Sequence, residues 1–464
     1  MSHGSLPVRN ETWSGGDTPV ARALARPMVR FLAQETASGV LLLVATAAAL
    51  IWVNSPFGES YHHFWDTSLA INIGEGHLID LTLHGWVNDA FMALFFFVVG
   101  MEIKSELVAG DLRDPRVAAL PAVAALGGMI LPAALYVAIN VGNGELSGWG
   151  IPMATDIAFA VGVLALLGPK IPQPLKLFLL TLAIVDDIGA IAVIAIFYTS
   201  NISLTWLGVA VGLLVLIVVL RHFRVWFIPV YAIIGLVVWF ATHESGVHAT
   251  IAGVTLGLLT PASSLLGDRE LEGVEDILSG DTANPAAVRN VNWKMRESVP
   301  VTGRLIALLS PWTSFLVIPA FALANAGVKL SGSAISEATS SRVTWGIIAG
   351  LVIGKPVGVY LFSIAAIRFK VATLPAGITR THLLGGGAVA GIGFTVALFI
   401  ATLAFVETDA DGNSVLNSAV VDQAVMGILA ASLLATFLGW LILRGGSSVD
   451  QVATGEEPSV KVDA

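Results

Sequence analysis

Lysine and arginine fall mainly on every second connection between the long apolar runs of this chain. A bilayer core of roughly 30 Å takes about 20 helical residues to cross. That ruler finds twelve candidate spans: 37–53, 84–103, 117–140, 150–168, 174–199, 203–220, 225–241, 246–262, 309–327, 343–366, 378–405 and 419–443. Connections 54–83, 141–149, 200–202, 242–245 and 406–418 contain no Lys or Arg. The intervening ones hold Lys104, Arg113 and Arg116, then Lys170, then Arg221 and Arg224, then five basic residues from Arg269 to Arg304, then Arg368 and Lys370. Cytoplasmic loops collect basic residues, so the alternation predicts twelve spans with both termini cytoplasmic. Among the 24 basic residues, only Lys329 and Arg342 fall on the opposite side, and Lys355 lies within a span. Any other number of spans scrambles the pattern.

Composition agrees with a single membrane body over 37–443. Charged residues make up 12% and mean hydropathy is +0.81, against about 25% charged in soluble domains. With no cysteine, disulfides, thiolate nucleophiles and Cys-based metal sites are excluded. Residues 1–36 carry Arg9, Arg22, Arg26 and Arg30 but no apolar core, so they read as a cytoplasmic tail and not a signal peptide. Residues 263–308 read as a long polar cytoplasmic loop and 444–464 as a polar cytoplasmic tail. The outer segment 54–83, with Trp65 and several acidic residues, offers a surface through which a homodimer can form.

The ionisable residues left at membrane depth are few: Asp89, Glu102, Glu106, Asp156, Asp186, Asp187 and Lys355. Such residues are costly in hydrocarbon and by default mark an ion or proton pathway. Asp186 and Asp187, in "LAIVDDIGAIAV", lie about a dozen residues into the fifth span, roughly 18 Å deep at 1.5 Å per residue. Adjacent helical residues point about 100° apart. One carboxylate can then meet a counter-charge while the other faces a water-filled cavity. Ionising one disfavours ionising the other, which suits a site that trades protons for a small hard cation. The bland alternative is a structural hydrogen-bond site between helices. Lys355, in "VIGKPVGVY", must pair with a carboxylate or lose its proton, and its pairing reads equally well as structural or as part of the exchange.

Two spans look interrupted. "GIPMATDIAFAVG" (150–162) sets Pro152, Thr155 and Asp156 inside a span, where Pro removes a backbone donor and Thr and Asp offer other bonds. "GGGAVAGIGFTVALFIATLAF" (385–405) has a glycine-rich start. One broken span in each half of a chain points to a midplane site between repeats. Asp89 and His248 lie near helix ends, where a satisfied structural role is expected. Glu102 and Glu106, at i and i+4, read either as a solvated helix end or as an acidic funnel for cations.

The motifs "MATDIAFAVGVLALLG", "LAIVDDIGAIAV", "GVHATIAGV", "PAFALANAGV", "GKPVG" and "GIGFTVALFIATLAF" occur in order from about residue 35 to 440. Together they resemble the bacterial NhaA-type sodium/proton antiporters, a family from which the general account of inverted-repeat transporters was partly drawn. The resemblance implies an all-α polytopic membrane protein of the bacterial inner membrane, with twelve transmembrane helices. It implies inverted-topology repeats, spans three to five against ten to twelve, and two broken, crossing helices, spans four and eleven. It implies electrogenic exchange of two protons for one Na⁺ or Li⁺, serving pH and sodium homeostasis, with no enzymatic activity and no cofactor. On the matching positions, Asp187 is the central cation ligand, Asp186 is linked to Lys355, and Thr155 lies near the cation. Asp156 balances half-helix N-termini and Lys355 the opposing C-termini; the second proton rides on Asp186 or on Lys355. Glu102, Glu106 and His248 belong to a cytoplasmic funnel and pH response. Expected partners are membrane lipid, the transported ions and a possible second copy, with no nucleic acid.

Two departures stand out. Ser105 replaces an Arg of the family's Glu-x-Lys-Arg-Glu pattern. Ile306, Ala307 and Ser310 stand where Glu and His residues associated with pH sensing are common. The resemblance thus implies the exchange chemistry but no particular pH profile. Two rival classes remain. An intramembrane aspartyl protease needs two carboxylates converging on one water, and adjacent residues diverge. A channel or a carrier of another solute is distinguished by its flux and its solute response.

Overall fold

The computed structural model describes residues 37–73, 76–142, 145–168, 171–199, 202–223, 228–264, 294, 297–408 and 414–445. The expected tail at 1–36, the expected tail at 444–464 apart from Arg444 and Gly445, which finish a helix, Lys170, Arg224 and most of the 263–308 loop lie outside the described residues.

The described chain is mostly helix. Seven helices are long and apolar enough to cross a bilayer, and up to nine spans result if each sharply bent pair counts as one. Several helices start at a side-chain cap. Asp114 accepts from Arg116 N–H at 2.9 Å ahead of Pro115, a residue suited to a first turn. Thr379 and His382 form a reciprocal capping box.

Three long rods each contain one π-helical turn. Leu83–Trp86 passes through Val87–Phe91 into Met92–Val108, and Val301–Trp312 through Thr313–Val317 into Ile318–Asn325. In the third, Arg342–Ala349 passes through Gly350–Gly354 into Lys355–Arg368. The second rod begins at Val301, ahead of the expected span at 309, and Thr302 N–H bonds the Pro261 carbonyl at 3.2 Å.

Two small antiparallel hairpins add to the helices: Ser68–Ile73 with Gly76–Thr82, and Val406–Thr408 with Ser414–Leu416. Both lie in connections free of Lys and Arg. The first follows the short helix Gly58–Trp65, which turns 115° from Ala37–Val53.

Lipid tails are as apolar as leucine, so helices within a membrane associate by close packing of small residues. Gly253 and Gly257 bring Ala249–Leu259 against the Ala93 and Phe97 carbonyls of the first rod. Gly127 of Pro115–Asn140 and Gly358 of Lys355–Arg368 face each other's carbonyl oxygens. The helix Phe394–Ala404 lies at the centre, with residues 394–401 all buried. Phe399 packs there between Phe96 and Phe321, with ring centroids at 5.5 and 6.2 Å. A helix apolar on every side belongs in the middle of a bundle.

Candidate functional site

Two interrupted helices meet at this centre. The 3₁₀ helix Leu146–Met153 ends just after Pro152, residues 154–156 are non-helical, and Ile157–Leu167 follows as α-helix. Arg380–Ala390 and Phe394–Ala404 are separated by Gly391–Gly393 and bent by 49°. The breaks are tied to each other. Asp156 N–H donates to the Ile392 carbonyl at 2.7 Å. Asp156 Oδ1 accepts from Phe159 N–H at 3.0 Å, and Oδ2 accepts from Thr395 N–H at 3.1 Å and the Thr395 hydroxyl at 2.6 Å. One carboxylate thereby caps two half-helices. Each N-terminus carries about half a positive charge, so together they offset the charge of Asp156.

Beside the breaks runs the aspartate helix, Gln173–Phe197. Asp186 and Asp187 are 1% and 4% exposed, and Lys355, which opens the helix Lys355–Arg368, is fully buried. Lys355 Nζ lies 2.6 Å from Asp186 Oδ2 and also donates to the Met153 carbonyl, at the C-terminal end of the 3₁₀ helix. The Thr155 hydroxyl sits 2.7 Å from Asp186 Oδ2 and 2.8 Å from the Ala390 carbonyl, and its single proton serves one of them at a time. Asp186 Oδ1 is buried with no hydrogen-bond partner among the described residues. Asp187 makes no hydrogen bond among the described residues either.

A charge count over these groups has one remainder. Helix N-termini offset Asp156, and Lys355 offsets Asp186. Asp187 has the like charges of Asp186, Glu102 and Asp156 as electrostatic neighbours, and the one opposite charge that reaches it, Lys355, is ion-paired to Asp186. An unpaired buried carboxylate is so costly that it takes up a proton or a cation. The free oxygens of Asp187 and Asp186, with the Thr155 hydroxyl alongside, form a set of hard oxygen donors suited to a hard cation.

The structure brings Thr155, Asp156, Asp186, Asp187 and Lys355 together. Glu102, Glu106 and His248 make no hydrogen bond to that group. Glu106 accepts from Asp111 N–H at 3.0 Å and finishes its own helix, while His248 Nε2 lies 2.5 Å from the Tyr198 carbonyl. Asp89 Oδ2 lies 3.5 Å from His243 Nδ1, away from the centre. Near Ile306, Ala307 and Ser310, Arg304 forks onto Glu297 at 3.0 and 3.2 Å. Sequence reasoning passed over Thr395 and the Met153 and Ala390 carbonyls. Thr395 had a signal, a hydroxyl at the glycine-rich start of an apolar run, but nothing local named Asp156 as its partner.

The family model for Na+/H+ antiporter 1 matches residues 29–443. A protein of Frankia alni named Na(+)/H(+) antiporter NhaA 3 is 48% identical over 421 residues, 90% of this chain and 88% of its own. Na(+)/H(+) antiporter NhaA 2 of Sorangium cellulosum is 43% identical with 96% of each chain covered. Na(+)/H(+) antiporter NhaA of Oleidesulfovibrio alaskensis is 42% identical, covering 96% of this chain and 98% of its own. A match over nearly the whole length of chains this similar leaves one conclusion: the chain belongs to the Na+/H+ antiporter 1 family, the NhaA antiporters.

Proposed function

We propose that this chain exchanges Na⁺ or Li⁺ for protons across a bacterial inner membrane, with both termini cytoplasmic. Exchange is electrogenic, two protons per cation, and serves pH and sodium homeostasis. The reading includes twelve spans, with the segments around the two breaks belonging to inverted repeats that cross at the centre. The outer segment 54–83 is the surface for a homodimer.

The observation that carries the reading is the unbalanced Asp187. A cation held by Asp187, the free oxygen of Asp186 and Thr155 cancels the charge that the surrounding protein leaves uncancelled. A proton on the same carboxylate does so equally well. The two therefore exclude one another, and a cavity open to one face at a time converts that exclusion into exchange. Lys355 keeps Asp186 charged and aimed while its partner loads. The second proton is carried by Asp186 or Lys355, because opening their ion pair frees one acceptor.

The test is Asp187→Asn in everted vesicles. The amide is nearly isosteric but cannot carry the charge, so Na⁺-driven proton release is lost while insertion into the membrane is kept. Normal exchange by that variant would overturn the assignment.

A further inference from the structure

The first two backbone donors of the second half-helix bond to side chains of other segments. Phe394 N–H donates to Ser432 Oγ at 3.3 Å, and Thr395 N–H goes to Asp156. In a helix continuous through the break, Phe394 N–H would close on the carbonyl four residues back. That carbonyl belongs to Ala390, and here it accepts from the Thr155 hydroxyl instead. Ser432 is 4% exposed on the last helix, Ser418–Gly445, and its own carbonyl accepts from the Thr436 hydroxyl at 2.7 Å. It thus occupies the backbone donor that, in a continuous α-helix, would compete with Thr155 for Ala390.

The geometry points to Ser432 as a positioning residue of the cation site. By holding Phe394 N–H it keeps the Ala390 carbonyl open, and that carbonyl fixes the Thr155 hydroxyl beside Asp186. The inference rests on the reading of Asp186 and Asp187 as the ion site. Removing the serine hydroxyl orphans a buried N–H, which costs free energy until it finds another acceptor. The acceptor in register is Ala390. Once Phe394 takes it, Thr155 is displaced and the cation loses an aligned oxygen.

Ser432→Ala is expected to raise the apparent KM for Na⁺ about three- to ten-fold, the equilibrium worth of one hydrogen bond. The maximal rate per inserted transporter is expected to change little. Ser432→Thr keeps the hydroxyl and the original KM. A serine with a merely structural role would lower the yield or melting temperature of the alanine variant and leave KM where it was, and that result overturns the inference. Thr155→Val supplies the cycle. If Ser432 acts through Thr155, Ser432→Ala adds no further rise in KM in the valine background, whereas additive effects overturn it. Should the alanine variant not insert, Ser432→Cys carries the same measurements, since a thiol accepts hydrogen bonds weakly. An unchanged KM beside an inactive Asp187→Asn refutes only the serine's part. An active Asp187→Asn refutes the ion site itself.

Discussion

Lys355 shows how much one side chain can hold at membrane depth. Its ammonium is wholly enclosed and joins Asp186 to the Met153 carbonyl, so its removal strands a carboxylate with no counter-charge. Breaking a buried pair from one side costs about 3–5 kcal/mol, whereas replacing both partners is often neutral. Lys355→Met is therefore expected to lower the melting temperature of the purified protein sharply, and Lys355→Met with Asp186→Asn to recover much of the loss. A double variant no more stable than the single one would count against the pairing as the source of that stability. Part of this was legible from the residues alone, because neighbouring aspartates on a helix diverge and only one could meet the single buried lysine. Which one it is came from the family resemblance, since span-to-span rotation is not written in local sequence. Thr395 and Ser432 were illegible for the same reason, as their roles depend on partners 239 and 38 residues away.

Among elements, the contact that sets the lysine against the aspartate helix is the close approach of Pro115–Asn140 to Lys355–Arg368. A Cβ at Gly358 would strike the Gly127 carbonyl, and one at Gly127 would come within 2.5 Å of Phe362 Cγ. A Cβ at Gly128, next along, would meet the lysine's methylenes at an ordinary 3.6 Å and Val359 Cγ2 more tightly at 3.0 Å. Gly358→Ala is expected to push the two helices apart, lowering both melting temperature and exchange rate. Gly212→Ala, where a Cβ meets nothing within 4 Å, is expected to leave both unchanged or to stabilise slightly. Equal effects from the two substitutions would refute the packing argument. The seven to nine apolar helices long enough to cross a bilayer were readable from hydropathy, and the first break from Pro152, Thr155 and Asp156 inside an apolar run. The π turns were not. A wide turn such as Gly350–Gly354 differs from an α turn by one inserted residue, and composition carries no mark of it. The hairpin after Trp65 escaped likewise, because a ruler built for spans does not look for strands.

For the whole molecule, competition at one site predicts its own pH dependence without a separate sensor. Protons become more abundant as pH falls and occupy the carboxylates that the cation needs. The apparent KM for Na⁺ is thus expected to rise as pH is lowered, while saturating Na⁺ restores the same maximal rate. Everted vesicles titrated with Na⁺ between about pH 6 and 9 test this, and a KM independent of pH would overturn the single-site account. The stitching of the two breaks also has a consequence for biogenesis. Asp156 enters the membrane early, but the Thr395 groups that satisfy its second oxygen are encoded 239 residues later. At about 5–20 residues per second of translation, the first interrupted helix waits roughly 10–50 s before its mate exists. During that interval it lies in the bilayer as an unfinished half, shielded only by neighbours already made or by the insertion machinery. The proposed ion site is therefore among the last parts of the protein to be completed, and a nascent chain cut short before the second interrupted helix holds Asp156 without the Thr395 groups that satisfy it.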